Sequence, residues 1–268
     1  MAKHLKAVVF DWAGTMIDFG SCAPVEALVA AFTREGIGLG PEDARHDMGR
    51  AKRDHVAAAL TRPRVAEAWR AAKGTLPGEA DIDRIYAALE PLMTVAAARH
   101  TQLIPGALDA AQDARARGLK IGSNTGYTRA MMQSLLRAAA DQGYRPDAVV
   151  CAGETPEGRP TPLMLWKLWS ELGVYPAAAC VKVDDAEVGI GEGLAAGCWT
   201  VGVAASGNSV GLSLDAYEAL DAEDRRLRVA AASAALSEAG AHYVVNTVAE
   251  LPAVLDQIER RLAAGERP

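Results

Sequence analysis

Short β-branched runs alternate with helical stretches along most of this chain, and one stretch of about eighty residues near the N-terminus breaks the alternation. Strand candidates lie at 7–10, 120–122, 148–152, 180–183, 200–203 and 242–245. Between them, 106–117, 128–140, 161–172 and 187–196 read as helices that close on or near Gly118, Gly143, Gly173 and Gly197, the residue type a left-handed C-cap favours. Strands joined by helical crossovers lie parallel, so the pattern predicts an α/β fold: a doubly wound, mostly parallel sheet core with helices on both faces.

The interruption holds Ala-rich amphipathic patterns at 24–35, 41–60, 65–72 and 81–100. Its size suits a separate all-helical domain, 21–100, inserted into a core made of 1–20 and 101–268, with hinges at 18–24 and 99–105. The alternative is that these helices pack on the same core as the rest. Residues 214–239, helical and mixed in charge, read as a solvated surface hairpin.

Half of the 268 residues are hydrophobic, enough for a sizeable core, and the net charge of −6 comes with no basic block, which disfavours a nucleic-acid partner. Cys22, Cys151, Cys180 and Cys198 are scattered, with no metal-ligand spacing, so a reducing compartment and no structural zinc are expected. The start of the chain reaches a charged residue too early for a signal peptide, and no apolar run approaches a membrane span. A cytoplasmic, soluble enzyme is the expectation.

The first strand delivers Asp11 into the turn-like stretch Trp12-Ala13-Gly14-Thr15. An acid there stands at the carboxyl edge of the sheet, where open α/β folds bind ligands, although Asp also caps turns and helices without any chemistry. Later strands end in Ser123-Asn124-Thr125, in Gly158-Arg159-Pro160 after the third strand, and in Asp184-Asp185. Gathered on one edge, two carboxylates, a hydroxyl and a guanidinium suit phosphoryl transfer. The acids suit Mg²⁺, and the hydroxyl, the cation and the helix-start amides after Gly126 suit phosphoryl oxygens.

These four strand-end groups, in this order and followed by a helical insert after the first, resemble the haloacid dehalogenase superfamily. The resemblance implies that Asp11 is a nucleophile forming an aspartyl-phosphate, with Thr125, Arg159 and Asp185 as its partners, and that the insert is a cap domain. One departure is informative. Most phosphatases of this group carry a general acid two residues after the nucleophile, and here Ala13 stands there. An ester hydrolase would thereby lose a helper that contributes about 10²- to 10⁴-fold.

DWAGT, MGRAK, GSNTGYTR, GRPTP and KVDD are similar to the motifs of the phosphonatase family within that superfamily, and the similarity continues to HYVVNTVAELPAVLDQIERRL near the C-terminus. Met48, Lys52 and His55 fall at helical spacing on one face. By spacing alone Lys52 is a snorkelling surface lysine. The resemblance instead implies a Schiff-base lysine, with hydrolysis of the carbon–phosphorus bond of phosphonoacetaldehyde to acetaldehyde and orthophosphate in 2-aminoethylphosphonate degradation. Lys52 must be neutral to attack, and desolvation or the charges of Arg50 and Arg53 are the expected causes.

The same resemblance implies a homodimer and Mg²⁺ held by Asp11, the Ala13 carbonyl and Asp185. It also leads one to expect an acid at position 189, where this chain has Gly189; Asp184 is the preferred substitute, with Glu187 as the other choice. His55 and Met48 are expected to assist proton traffic or shape the pocket. Cys22 lines the entrance or is inert packing, and Tyr127 contacts substrate or only begins a helix. Two rivals stand beside this: a general Mg²⁺-dependent phosphatase of small phosphorylated metabolites, which Ala13 disfavours, and a non-catalytic protein keeping the fold.

Overall fold

The structure is a computed structural model that describes residues 4–268. One sheet of six strands organises it: β1 (Ala7–Phe10), β2 (Lys120–Thr125), β3 (Ala148–Cys151), β4 (Cys180–Asp184), β5 (Trp199–Val203) and β6 (Tyr243–Val245). The order is β3-β2-β1-β4-β5-β6 and every neighbouring pair is parallel. The expected doubly wound core is therefore present, and the strand order reverses between β1 and β4.

Between β1 and β2 run α1 (Cys22–Arg34), α2 (Pro41–Arg45), α3 (Lys52–Thr61), α4 (Pro63–Lys73), α5 (Glu79–Arg99) and α6 (Ala107–Ala116). The later crossovers carry α7 (Arg129–Asp141), α8 (Leu163–Leu172) and α9 (Glu187–Ala196), and α10 (Leu214–Glu218), α11 (Ala222–Glu238) and α12 (Leu251–Ala263) complete the chain. Among the described residues no helix is long and apolar enough to cross a membrane.

Alternation along β1 feeds two apolar layers, as pleating requires. Val8 and Phe10 join a cluster with Met131 and Leu135 of α7 and with Leu28, Phe32, Leu89 and Met93 of the insert. Ala7 and Val9 pack on the opposite layer with Leu165 and Leu168 of α8. The insert thus stands on the core with its apolar faces continuous with one layer. Its two connections pair with each other: the Asp18 N–H donates to Gln102 O and the Ile104 N–H to Met16 O. The Asp18 carboxylate accepts the first amides of α1, from Cys22 at 3.0 Å and Ala23 at 2.9 Å.

Two expectations are corrected. The stretch 41–60 is not one helix: α2 ends at Arg45 and α3 starts at Lys52, because Asp47 and Gly49 adopt left-handed backbone angles, φ 60° and 93°. Nor is 214–239 only a solvated hairpin, since Ala232 and Leu236 of α11 are buried with Ile190, Ala204 and Val210 over the β5–β6 end of the sheet.

Candidate active site

Asp11 follows the last residue of β1, and its N–H donates to Val183 O of β4 at 3.0 Å, so the sheet ladder itself fixes where the carboxylate emerges. Asp184 ends β4 with Asp185 just past it, Thr125 ends β2, and Arg159 lies in the segment between β3 and α8. All converge outside the carboxyl ends of β1 and β4, where the strand order reverses. A small cavity of about 20 Å³ opens there. Its wall takes Asp11, Ala13, Thr125, Arg159 and Asp185 from the core, and Met48, Gly49 and Lys52 from the insert.

Arg159 is held on several sides. Its Nη1 lies 2.8 Å from Asp11 Oδ1 and 3.4 Å from Asp184 Oδ2, its Nε lies 3.0 Å from Glu192 Oε2, and its Nη2 donates to Asn124 O and Oδ1 at 2.9 Å each. Burial raises the Asp11 carboxyl to about 6, and Asp184 adds to the rise against the opposing pull of Arg159 and Lys182. Asp185 is pushed well above the usual carboxylate range by burial and by the charges of Asp11 and Asp184. Burial also works on Asp184, but Lys182 at 2.9 Å and Arg159 hold it below the ordinary value.

Asp11, Asp184 and Asp185 each offer an oxygen within 4.8 Å of the others. Taken as ionised with Glu192, these buried acids bring four negative charges against those of Arg159, Lys182 and, when protonated, Lys52, an excess of negative charge that a divalent cation offsets. The donor set is all oxygen, as a hard cation requires. Asp184 is engaged by Lys182, by Arg159 and by the Ala186 N–H at 3.0 Å, and stands behind the other two acids.

Lys52 is the first residue of α3 and is buried. Its amine is lowered to about 8, first by desolvation and then by Arg159, against the pull of Asp11 and Asp185. Its place at the positive end of α3 disfavours the ammonium further. Arg50 and Arg53 are not the cause: Arg50 pairs with Asp47, and Arg53 is turned outward to Glu79 and Asp83. The Nζ lies 3.8 Å from Met48 Sδ and 5.3 Å from the centre of the Tyr127 ring. Met48 reaches Lys52 from the turn before α3 and not along a shared helix face.

The insert meets the core at Gly126. A Cβ built there would lie 2.4 Å from Arg50 O and 2.9 Å from Gly49 O, so only glycine admits the 49–50 backbone so close to Thr125. Tyr127 lines the cavity ahead of α7, whose cap is Thr128, accepting from the Met131 N–H. His55 lies off the cavity wall, against the backbone of residues 44 and 46, and burial together with Lys52 lowers it to about 3, leaving a neutral ring. The Cys22 thiol bonds Phe19 O and is raised by burial and Asp18, the opposite of a reactive thiolate.

Lys182 and Glu192, both buried behind the acid cluster, are not legible as site residues, and Asn124 stands in the sequence only as a neighbour of Thr125. A mid-strand Lys and a helical Glu carry no spacing signal; only their placement between apolar neighbours in KVDD and GEG hints at burial.

The model of the haloacid dehalogenase-like hydrolase family matches residues 5–197. Curated relatives named phosphonoacetaldehyde hydrolase include one from Paraburkholderia phytofirmans, 49% identical over 99% of this chain and 100% of its own length. Another, from Vibrio cholerae, is 48% identical over the full length of both. A solved structure from Oleispira antarctica, described as a phosphonoacetaldehyde hydrolase-like protein, superposes with a TM-score of 0.98 at 44% identity, covering 100% of this chain and 97% of that one.

Proposed function

The chain belongs to the haloacid dehalogenase-like hydrolase family, and from that premise we propose that it hydrolyses the carbon–phosphorus bond of phosphonoacetaldehyde to acetaldehyde and orthophosphate. The observation that carries the proposal is the presence of a buried amine, lowered to about 8, in the wall of the cavity that also holds the strand-end acid Asp11. A phosphate ester gives such an amine nothing to do. An aldehyde phosphonate needs it, because cleavage of the carbon–phosphorus bond leaves an electron pair that must be stored.

Neutral Lys52 adds to the aldehyde carbon, and the adduct takes up a proton and loses water, giving an iminium. Thr125 and Arg159 orient the phosphonate oxygens. Asp11 attacks phosphorus, the carbon–phosphorus bond breaks, and its electron pair moves into the iminium to form an enamine, leaving phosphate on Asp11. Water hydrolyses the aspartyl-phosphate to orthophosphate. Protonation of the enamine carbon and hydrolysis of the resulting iminium free acetaldehyde and Lys52. Ala13 offers no proton to a leaving group, and none is needed on this route.

Mg²⁺ fits the acid cluster: Asp11, Asp185 and the Ala13 carbonyl would hold it, with Asp184 behind them, and it would offset charge on the phosphonate. Residues 21–100 act in this scheme as a cap domain over the core of 1–20 and 101–268. His55 and Met48 shape the surroundings of the amine, and a small-molecule phosphonate is the sole substrate partner. A homodimer in the cytoplasm completes the proposal, in keeping with four free cysteines.

Borohydride reduction in the presence of phosphonoacetaldehyde, followed by peptide mass mapping, tests the assignment. A two-carbon adduct on Lys52 is expected, with equal yields of acetaldehyde and orthophosphate without borohydride. Absence of the adduct, together with turnover of ordinary phosphate esters, would move the chain to the general phosphatases.

A further inference from the structure

Arg159 stands in an irregular segment between β3 and α8, so no secondary structure fixes its guanidinium. What fixes it comes from behind. Glu192 of α9 sets its Oε2 3.0 Å from Arg159 Nε as an ion pair without a hydrogen bond, and its Oε1 accepts from the Asn124 amide at 2.7 Å. Asn124 Oδ1 in turn accepts from Arg159 Nη2 at 2.9 Å and from Lys182 Nζ at 2.5 Å. Lys182, on β4, closes the ring with Asp184 at 2.9 Å and Glu192 at 3.7 Å. All five side chains are buried.

Fully buried ion pairs are weak sources of stability, since desolvation offsets most of their attraction. A lysine inside a parallel strand and a glutamate on the inner face of a helix are therefore poorly explained as structural choices. They do account for the pose of Arg159. With Nε and Nη2 occupied from behind, Nη1 is the nitrogen that faces Asp11 at 2.8 Å.

We propose that Glu192 and Lys182 are positioning residues for the phosphoryl half of the reaction, holding Arg159 through Asn124 so that one edge of its guanidinium meets both Asp11 and the phosphonate. The proposal rests on the function inferred above. It divides that reaction in two: imine formation at Lys52 does not use the network, whereas attack by Asp11 does.

The test uses Glu192→Gln and the charge-matched pair Lys182→Met with Glu192→Gln. A Gln side chain that keeps its one acceptor on the Asn124 amide turns a neutral NH2 toward Arg159 Nε, so the ion pair is lost while its shape preserves packing. The double variant removes one positive and one negative charge and keeps the buried balance if Glu192→Gln alone folds poorly. In each, melting temperature, borohydride trapping of Lys52 and single-turnover orthophosphate release are measured. Trapping close to that of the unaltered enzyme is expected, with orthophosphate release slowed about 10- to 100-fold, the range for small misplacements of a charged group.

A folded variant with unchanged orthophosphate release overturns the proposal, as does an equal fall in trapping and release, which is the mark of general structural damage. Failure of trapping in the unaltered enzyme is a separate result, and strikes at the phosphonate assignment itself.

Discussion

The carboxylate of Asp184 occupies the space that a side chain on residue 189 would need: a Cβ built on Gly189 would lie 2.0 Å from both Cγ and Oδ2 of Asp184. The acid expected at position 189 is thus replaced in space by one from the end of β4, and the two positions exclude each other.

Gly189→Ala should therefore displace Asp184 from Lys182 and Arg159, destabilising the chain by roughly 1–3 kcal/mol as overpacked sites do. Thermal melts with and without Mg²⁺ check this. The melting temperature should fall, its rise on adding Mg²⁺ should shrink, and Asp184→Gly in the same chain should relieve the overlap, so that the pair melts no lower than Asp184→Gly alone.

Lys52→Met should abolish turnover and raise stability at neutral pH. The lysine is held at about 8 against an ordinary 10.5, so the unfolded chain binds the extra proton more readily, and folding carries the full penalty below about 8. That penalty declines as pH rises from 8 to 10.5, where the unfolded amine also loses its proton. Removing it is worth up to about 3 kcal/mol. Chemical denaturation at pH 7 and pH 10 should show the gain at 7 and little at 10.

Imine formation should follow the same group. Its rate at fixed aldehyde concentration should rise with pH through about 8 and level off above, because only the neutral amine attacks. A rate that falls over this range would point to a different nucleophile.

Chelation of Mg²⁺ by EDTA should stop orthophosphate release while leaving borohydride trapping at Lys52 in place, since the acids cluster around Asp11 and the amine belongs to α3. Joint loss of both would place the cation in the imine step as well.

Arg45→Ala should loosen the insert and the acid cluster together. Arg45 of α2 donates to Gly20 O at 2.8 Å, Gly211 O at 2.7 Å and Asn208 Oδ1 at 3.2 Å, and the Asn208 N–H donates to Asp185 Oδ2 at 2.7 Å. Faster hydrogen exchange over 206–212 and weaker Mg²⁺ stabilisation are expected, with kcat/KM reduced about tenfold or more.

Much of this arrangement is legible in the sequence because strands fix direction. Asp11, Thr125 and Asp185 lie at or just past strand ends, and parallel strands gather such ends without further information. Lys52 needs the resemblance, since spacing alone reads it as a surface lysine, and its neighbours at 50 and 53, which look like the source of its low pKa, are paired elsewhere. The helical spacing that groups Met48 with Lys52 is broken before α3, and their contact arises from a turn at Gly49. Glu192 and Lys182 stay hidden because charge is read from sequence as exposure, and only the packed structure shows Asn124, Arg159 and Asp184 standing around them in place of water.

The glycine at 126 carries a broader consequence. It lets the backbone of 49–50, just before Lys52, touch the strand end beside Asp11, so the two groups paired in the proposed reaction meet only while distant parts of the chain are in register. Such a centre behaves as a coincidence detector. A phosphate ester presents phosphorus without a carbonyl, a simple aldehyde presents a carbonyl without phosphorus, and each satisfies one half alone. On the proposed function, selectivity against the abundant esters of the cell comes from requiring two chemistries in one molecule at once, and not from tight recognition of either.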